Sequence, residues 1–342
     1  MGKYDDALYL YLSDNDRFAD LFNAAFFHGE RVLRGDMLES DSERLTAVKP
    51  RADAREMPRT ENGNRDIRKR AKTGESFVVT AVENQNDIDY CMPWRIMRYD
   101  QMEYGRQIDE LERAREKAEK GRKSGKGKKQ ASGGWTKRLE KGELLHPVYT
   151  VCFYHGTEPW DGPRSLKDMM RFEPGTEAWA NRFHDYGMTL FCADGTTGSP
   201  ELFHTDLRRL MEVLPLRGDR EALDALWQSE EYSNLSRDTV ETIAVMTEST
   251  EILEKLDEYE NVEGGYSMCQ AVREMRQDWK AEGRTEGKIE AILDFLGELG
   301  EIPRELAERI KSQTDLETLS LWCKAAARAQ SLQQFEERIA DL

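Results

Sequence analysis

An apolar stretch of the chain ends in two polar side chains that are able to hold a cation. Residues 76–82 read SFVVTAV and run directly into Glu83, Asn84 and Gln85. Alternate side chains of a β-strand point to the same face, so Glu83 and Gln85 point together. A carboxylate at the edge of a core must be paired or bind a metal, because an isolated buried charge is costly. Asp66 lies upstream in a segment expected to pair with this strand, and the three residues predict a cation-binding cluster.

Two carboxylates on adjacent strands suit metal-assisted cleavage of a phosphodiester. Mg²⁺ prefers a few carboxylate ligands and keeps several waters, one of which it activates for attack. An ion pair is the other interpretation of the same residues, in which Arg65, Arg68 or Arg95 neutralises Asp66 or Glu83. Spacing alone does not separate the two.

Three strands and a helix are expected to position this cluster. Strands are predicted over 64–69 and 76–84, joined by a turn at 72–75, and a third over 147–154. A helix is predicted over 92–116, and its first turns follow the carboxylate strand closely.

The predicted helix over 92–116 carries two kinds of side chain. Arg95 and Arg98 belong to a basic ridge, which would contact either phosphates or acidic residues of the same chain. Its buried stripe is expected to contain Trp94, Met97, Tyr104 and Ile108.

A further acid comes from a helix near the start of the chain. Ser13 is predicted as its N-cap, and apolar residues at helical spacing, Phe18 and Leu21 among them, form one face. Asp16 falls in the first turn, where an acid is favoured by the helix dipole whether or not it has a function.

Charge divides the 342 residues unevenly. The formal net charge is −16, but residues 1–150 carry 29 Lys and Arg against 27 Asp and Glu, whereas residues 151–342 carry 21 against 39. Only the first part is suited to a polyanion. We therefore expect a domain over 1–200 with a flexible Lys/Gly-rich insertion at about 117–134, and a helical region over 201–342 that is a candidate for homo-oligomerisation.

The location follows from what the sequence lacks. No stretch reaches the ~20 apolar residues of a membrane span, and the N-terminus has no apolar signal segment. The five cysteines are widely spaced, so reduced thiols are expected. These features predict a cytoplasmic protein without a membrane partner.

Several segments, taken in order, resemble one nuclease family. They are SDNDRFADLFN from residue 13, RDI from 65, VENQ from 82, MPxRxMxYD from 92, and PV followed by FYHGxxPW between 147 and 160. This set is similar to the Rpn family of recombination-promoting nucleases, often labelled transposases, within the PD-(D/E)XK nuclease superfamily. The Glu-Gly repeat at 282–287 is also similar to tails in that family.

The resemblance implies an α/β, restriction-endonuclease-like mixed sheet flanked by helices, with an all-helical region after it. It implies an endonuclease that cuts DNA with Mg²⁺, for which Mn²⁺ would substitute, and that promotes recombination. Asp66 and Glu83 match the metal ligands, Gln85 stands where the superfamily has lysine, and Asp16 matches an acid of the first helix.

The missing lysine keeps a second function open. Glutamine holds a water by hydrogen bonds but brings no positive charge. Arg68, Lys72, Arg95 or Arg98 would have to supply that charge and contact DNA. Without it, a nuclease fold that binds DNA or assembles complexes with little or no cleavage is the alternative.

Overall fold

The computed structural model describes residues 3–40, 67–74, 76–122, 139–249, 251–262 and 264–340. Asp66 and most of the predicted Lys/Gly-rich insertion lie outside these residues. Within them, no helix combines the length and the apolar character needed to cross a membrane.

A five-stranded mixed sheet forms the centre of the fold. Its strands are β1 (Leu38–Ser40), β2 (Ile67–Thr73), β3 (Ser76–Gln85), β4 (Val148–Tyr154) and β5 (Thr189–Cys192), and they lie in that order. β2 is antiparallel to both of its neighbours, β1 and β3, whereas β3, β4 and β5 run parallel. The predicted mixed sheet is therefore confirmed, and β1 and β5 are additions that their shortness hid.

The hairpin between β2 and β3 fixes the register near the candidate site. Thr73 pairs with Ser76, and Gly74 adopts φ +69° in the turn, a conformation that glycine tolerates without strain. At the other end of the hairpin, Ile67 pairs with Val82. The predicted turn is thus correct, and the strand pairing brings the start of β2 beside the end of β3.

Twelve α-helices are present in the described part of the chain. They are α1 (Lys3–Leu12), α2 (Asn15–Phe27), α3 (Met92–Arg122), α4 (Glu177–Ala180), α5 (Leu207–Val213), α6 (Arg220–Leu226), α7 (Arg237–Met246), α8 (Glu251–Glu254), α9 (Met268–Gly297), α10 (Arg304–Lys311), α11 (Leu316–Ala326) and α12 (Leu332–Ala340). The helical character predicted from about residue 200 onward is confirmed.

Helices cover both faces of the sheet. Arg68 of β2 reaches Glu103 of α3, whereas the next residue, Lys69, donates to the Ser13 carbonyl and to Asn15 Oδ1 at α2. Because neighbouring side chains of a strand point to opposite faces, α3 lies on one face and α2 on the other. We call these the α3 face and the α2 face.

Two helix ends differ from the prediction. The N-cap of α2 is Asp14, whose Oδ1 accepts from the backbone N–H of Asp16 and Arg17, so the choice of Ser13 was wrong by one residue. Ser13 instead donates to the Tyr9 carbonyl at the end of α1. α3 continues to Arg122, past the predicted end at 116, because Lys, Glu, Ala and Arg are strong helix formers.

The chain forms two compact units, residues 1–268 and 269–342. The predicted boundary at 200 therefore falls inside the first unit. α7 packs against α1 there, and Tyr11 of α1 hydrogen-bonds Thr239 of α7 at 2.9 Å. Sequence patterning marked where the strands stop, whereas the first unit also includes helices that follow the last strand.

The second unit has an apolar helical core of its own. Ile292 and Leu296 of α9 pack with Trp322 of α11 and Phe335 of α12. Asp315 caps α11 by accepting from the Thr318 N–H. α12 follows α11 as the last helix of the described residues.

Candidate functional site

Glu83 is a buried carboxylate near the end of a central strand. It is the third residue from the end of β3, it is opposite Cys152 of β4, and it is 1% exposed. Its Oε2 lies 3.4 Å from Arg95 Nη2 of α3. Burial of an ionised carboxylate is costly unless it is paired, and among the described residues the pairing of Glu83 is this one long contact.

Arg95 connects Glu83 to the loop before α3. Its Nη1 lies 2.6 Å from Asp89 Oδ2, and its guanidinium lies 5.9 Å from the centre of the Tyr99 ring. Partial burial alone would lower the pKa of Arg95, but the bonds to Asp89 and Tyr99 raise it above its ordinary value. Arg95 therefore stays charged and neutralises Glu83, which gives the ion-pair interpretation a geometric basis.

The strand register bears on Asp66 only through its neighbour. Asp66 itself lies outside the described residues. Ile67, the next residue, pairs with Val82, which precedes Glu83. The convergence of Asp66 with Glu83 stays a prediction.

Gln85 ends β3 on the α3 face. It is partly exposed and opposite Tyr154 of β4, and its backbone carbonyl accepts from the His155 N–H at 2.9 Å. Strand alternation gives Gln85 and Glu83 the same face, as the sequence predicted. His155 closes β4 and points toward α1, where its Nε2 lies 3.3 Å from Asp5 Oδ1.

Asp16 does not meet Glu83. It is exposed on α2, on the opposite side of the sheet. The buried acid of that helix is Asp20, which accepts from the N–H groups of His204 and Thr205 and from the Thr205 hydroxyl. The helical spacing that singled out Asp16 could not tell which acid points inward.

The cations expected to contact DNA have different partners. Arg68 Nη1 lies 2.6 Å from Glu103 Oε2, and Lys72 pairs with Glu39 of β1. Arg98 is exposed and stacks over Trp94, with 5.7 Å between the guanidinium and the ring centre. Arg68 and Lys72 are thus engaged within the chain, whereas Arg98 is directed to the surface.

Two buried acids of α3 were missed by the sequence reasoning. Glu103 contacts Arg68, Arg106 and Gln107, and burial, which would raise its pKa, is outweighed by Arg106 and Arg68, so the pKa of Glu103 is lowered. Asp100 accepts from Thr150 and Tyr186.

The environment of Asp100 has the opposite effect on its proton. Burial raises the pKa of Asp100 above its usual range, and the hydrogen bonds from Tyr186 and Thr150 only partly offset this. Burial and the Asp100 carboxylate in turn raise the pKa of the Tyr186 hydroxyl. Asp100 and Tyr186 thus form a hydrogen-bonded pair between α3 and the loop before β5, in which both groups release their protons less readily than usual.

The buried stripe predicted for α3 is only partly right, because Met97, Tyr104 and Ile108 are half-buried. Trp94 is 44% exposed, while a different series faces the sheet: Met92, Ile96, Asp100, Glu103 and Gln107. These residues also follow helical spacing, but three are polar, so a search for apolar periodicity passes over them. The sequence did contain a signal, because Asp100, Glu103 and Gln107 continue the helical spacing of the apolar residues Met92 and Ile96.

No group of three or more His, Cys, Asp or Glu side chains is arranged to hold a metal ion among the residues the structure describes. Glu83 supplies one carboxylate, and Asp100 and Glu103 are committed to other partners. Asp66, which the resemblance implies as the second carboxylate ligand, lies beyond the described residues.

Comparisons with models of protein families, with curated proteins and with solved structures found no match.

Proposed function

We propose that the protein is a Mg²⁺-dependent endonuclease that cleaves phosphodiester bonds of DNA and promotes recombination. The observation that supports this most is Glu83, a nearly fully buried carboxylate at the end of a central strand, held by one long contact to Arg95. A mixed sheet flanked by helices is also what the resemblance to the Rpn family implies. The finer assignment to a restriction-endonuclease-like fold is part of this proposal.

The residues of the proposed site divide into those that bind the cation and one that orients a water. Glu83 and Asp66 hold the cation, and Gln85, on the same face as Glu83, orients a water through its amide. When bound, Mg²⁺ lowers the pKa of a water and offsets charge on the phosphate oxygens. Mn²⁺ substitutes because it accepts the same oxygen ligands.

Arg95 provides the positive charge that the superfamily draws from lysine. It remains anchored to Asp89 whether or not Glu83 turns away, so it keeps its place beside the strand end. Arg98 extends the positive charge along α3 and contacts a phosphate. Asp16 has no role in this arrangement, and Arg68 and Lys72 act indirectly, by fixing α3 and β1 on the sheet.

A nicking assay tests the proposal. Supercoiled plasmid is incubated with the full chain and Mg²⁺, and Asp66→Asn and Glu83→Gln are each expected to lower the rate by at least about 100-fold, because each removes a charged metal ligand. Asp36→Asn, an exposed acid paired with Arg34, is the matched control and should cut normally. Equal cutting by all three variants would overturn the site.

A second function is favoured by a specific contact. The pairing of Glu83 with Arg95, together with Gln85 in place of lysine, suits a nuclease fold that binds DNA or assembles complexes without cleavage. Calorimetric titration with Mg²⁺ separates the two. Heat of Mg²⁺ binding that is present in the native protein and absent in Glu83→Gln supports the nuclease. The absence of binding heat in both the native protein and Glu83→Gln supports the DNA-binding protein.

Self-association and location complete the proposal. Homo-oligomerisation through the helices of 201–342 and residence in the cytoplasm stay predictions. Since the first compact unit extends to Met268, a truncation that tests oligomerisation should end after that unit rather than near 200.

A further inference from the structure

An exposed stripe of aromatic, cationic and thioether side chains runs along the first turns of α3. Tyr90 precedes the helix, and Trp94, Arg98 and Met102 follow at intervals of four residues. Tyr90, Trp94 and Met102 are 58%, 44% and 50% exposed, and Arg98 is exposed as well. We call these four residues the α3 stripe.

The stripe lies on the side of α3 that faces away from the sheet. Trp94 is adjacent in sequence to Arg95, which contacts Glu83, and Tyr90 is adjacent to Asp89, which holds Arg95. Successive stripe residues are about 6 Å apart along the helix axis, from the rise of 1.5 Å per residue. Trp94 and Arg98 are each two residues away from Ile96, which is buried against the sheet, and a helix turns by about 100° per residue. A ligand lying along the stripe is therefore separated from Glu83 by the helix itself.

Two contacts fix the rings of the stripe, and one of them places a guanidinium over a face of Trp94. The Arg98 guanidinium lies 5.7 Å from the centre of the Trp94 ring. The Tyr90 hydroxyl donates to Asp161 Oδ1 at 2.8 Å, which orients the ring at the wall of an open cavity of about 690 Å³. Arg164 and Asp168 also line this cavity, and Asp168 accepts from the backbone N–H of Arg164 and Ser165.

We propose that the α3 stripe binds unpaired nucleotides of a DNA strand, whose bases stack on Trp94 and Tyr90 while Arg98 contacts the backbone. Single-stranded nucleic acid is bound by this combination of aromatic rings and cations, because every base has a face that stacks and every phosphate attracts a cation. The inference rests on the proposed nuclease function for its biological meaning and names the form of DNA that the protein binds.

Charge argues for this occupant over a partner helix. A helix that docks through an apolar face uses apolar anchors at successive turns. Here the third position of the row is Arg98, whose guanidinium extends from the Trp94 ring toward solvent. A phosphate complements that cation, whereas an apolar partner helix would bury it without compensation.

Fluorescence anisotropy tests the stripe without any cleavage. The probe is a fluorescein-labelled oligo-dT of about 20 nucleotides, longer than one such binding site, in EDTA with the full chain. Trp94→Ala should weaken binding about tenfold, the loss of roughly one stacked base. Trp94→Phe keeps a ring and should bind within a few-fold of the native protein. Trp179→Ala removes a tryptophan that is 76% exposed elsewhere and should leave the affinity unchanged.

A second variant measures the backbone contact. Arg98→Gln should reduce the slope of log affinity against log salt by about 0.7, the value for one phosphate contact with a single strand. Trp94→Ala should reduce the affinity for a blunt duplex of equal length by a smaller factor than it reduces the affinity for oligo-dT. The Arg98→Gln variant tests the proposal even if Trp94→Ala fails to fold, because an unchanged salt dependence would contradict the backbone contact.

The outcomes separate this proposal from the nuclease proposal. Glu83→Gln should bind oligo-dT normally while it fails to nick plasmid. Trp94-dependent binding in a protein that never nicks supports the stripe and removes the nuclease. Equal affinity of Trp94→Ala and Trp179→Ala overturns the stripe, as does a Trp94→Ala protein that loses self-association in sedimentation while it binds DNA normally.

Discussion

The two faces of the sheet bury their carboxylates in different ways. On the α2 face, Asp20 accepts hydrogen bonds from the N–H groups of His204 and Thr205 and from a hydroxyl, with distances of 2.7–3.1 Å. On the α3 face, Glu83 has a single contact of 3.4 Å to Arg95 among the described residues. Two of the donors to Asp20 are backbone N–H groups, which are fixed by the fold. Glu83 is instead paired with the Arg95 side chain, which also binds Asp89. A carboxylate with capacity left is the one suited to a ligand.

The α3 face also contains a saturated acid, and its loss should have the largest effect on stability. Glu103 is buried between Arg68 and Arg106, so Glu103→Ala leaves both arginines without their buried partner. We expect a loss of about 4 kcal/mol in the free energy of unfolding, measured by urea denaturation.

Glu110 provides the matched control for Glu103. It pairs with Arg106 and Arg70 but is 42% exposed, so Glu110→Ala should cost under about 1 kcal/mol. Equal losses for the two variants would show that burial does not set the strength of these pairs. Because the pKa of Glu103 is lowered in the folded protein, its contribution to the free energy of unfolding depends on pH. This contribution is fully present above the pKa of an unfolded Glu and is lost as the pH falls through the pKa of folded Glu103.

Asp20→Ala should cost about 3 kcal/mol, because it leaves two backbone N–H groups and one hydroxyl without their acceptor. Asp16→Ala, on an exposed position of the same helix, should change the unfolding free energy by less than about 0.5 kcal/mol. A larger loss for Asp16 would contradict the assignment of Asp20 as the structural acid.

Lys69 gives the α2 face a pH dependence. Burial lowers its pKa from 10.5 to about 8, so between these values the unfolded chain binds more protons than the folded protein. Stability should therefore rise as the pH increases from 8 to 9.5, by about 1.5 kcal/mol. Urea denaturation across this range should show the rise in the native protein and lose most of it in Lys69→Met. A fall in stability over the same range would contradict the burial effect.

Glu83→Gln should have a smaller effect on stability than Asp20→Ala and so sharpens the comparison. Arg95 retains Asp89, so removal of the Glu83 charge should change the unfolding free energy by less than about 1 kcal/mol. Denaturation measured beside the nicking assay checks this. A destabilisation as large as that of Asp20→Ala would mean that Glu83 is structural.

Local sequence patterns determined much of the sheet. The apolar run over 76–82 and the segment over 147–154 predicted β3 and β4 nearly to the residue, because a buried strand needs a continuous apolar sequence. Gly74 marked the hairpin turn, since its positive φ suits glycine. The placement of Glu83 and Gln85 on one face followed from strand alternation alone.

Only the tertiary structure decided which polar residues are buried and by whom they are paired. Asp100 and Glu103 face the sheet although they interrupt the apolar pattern of α3, and Trp94 faces solvent although it is apolar. Asp16 and Asp20 are one turn apart, and the approach of residues 204 and 205 selects Asp20. Periodicity reports the average polarity of a face, whereas the partner of a buried charge comes from a distant part of the chain, which no local pattern contains.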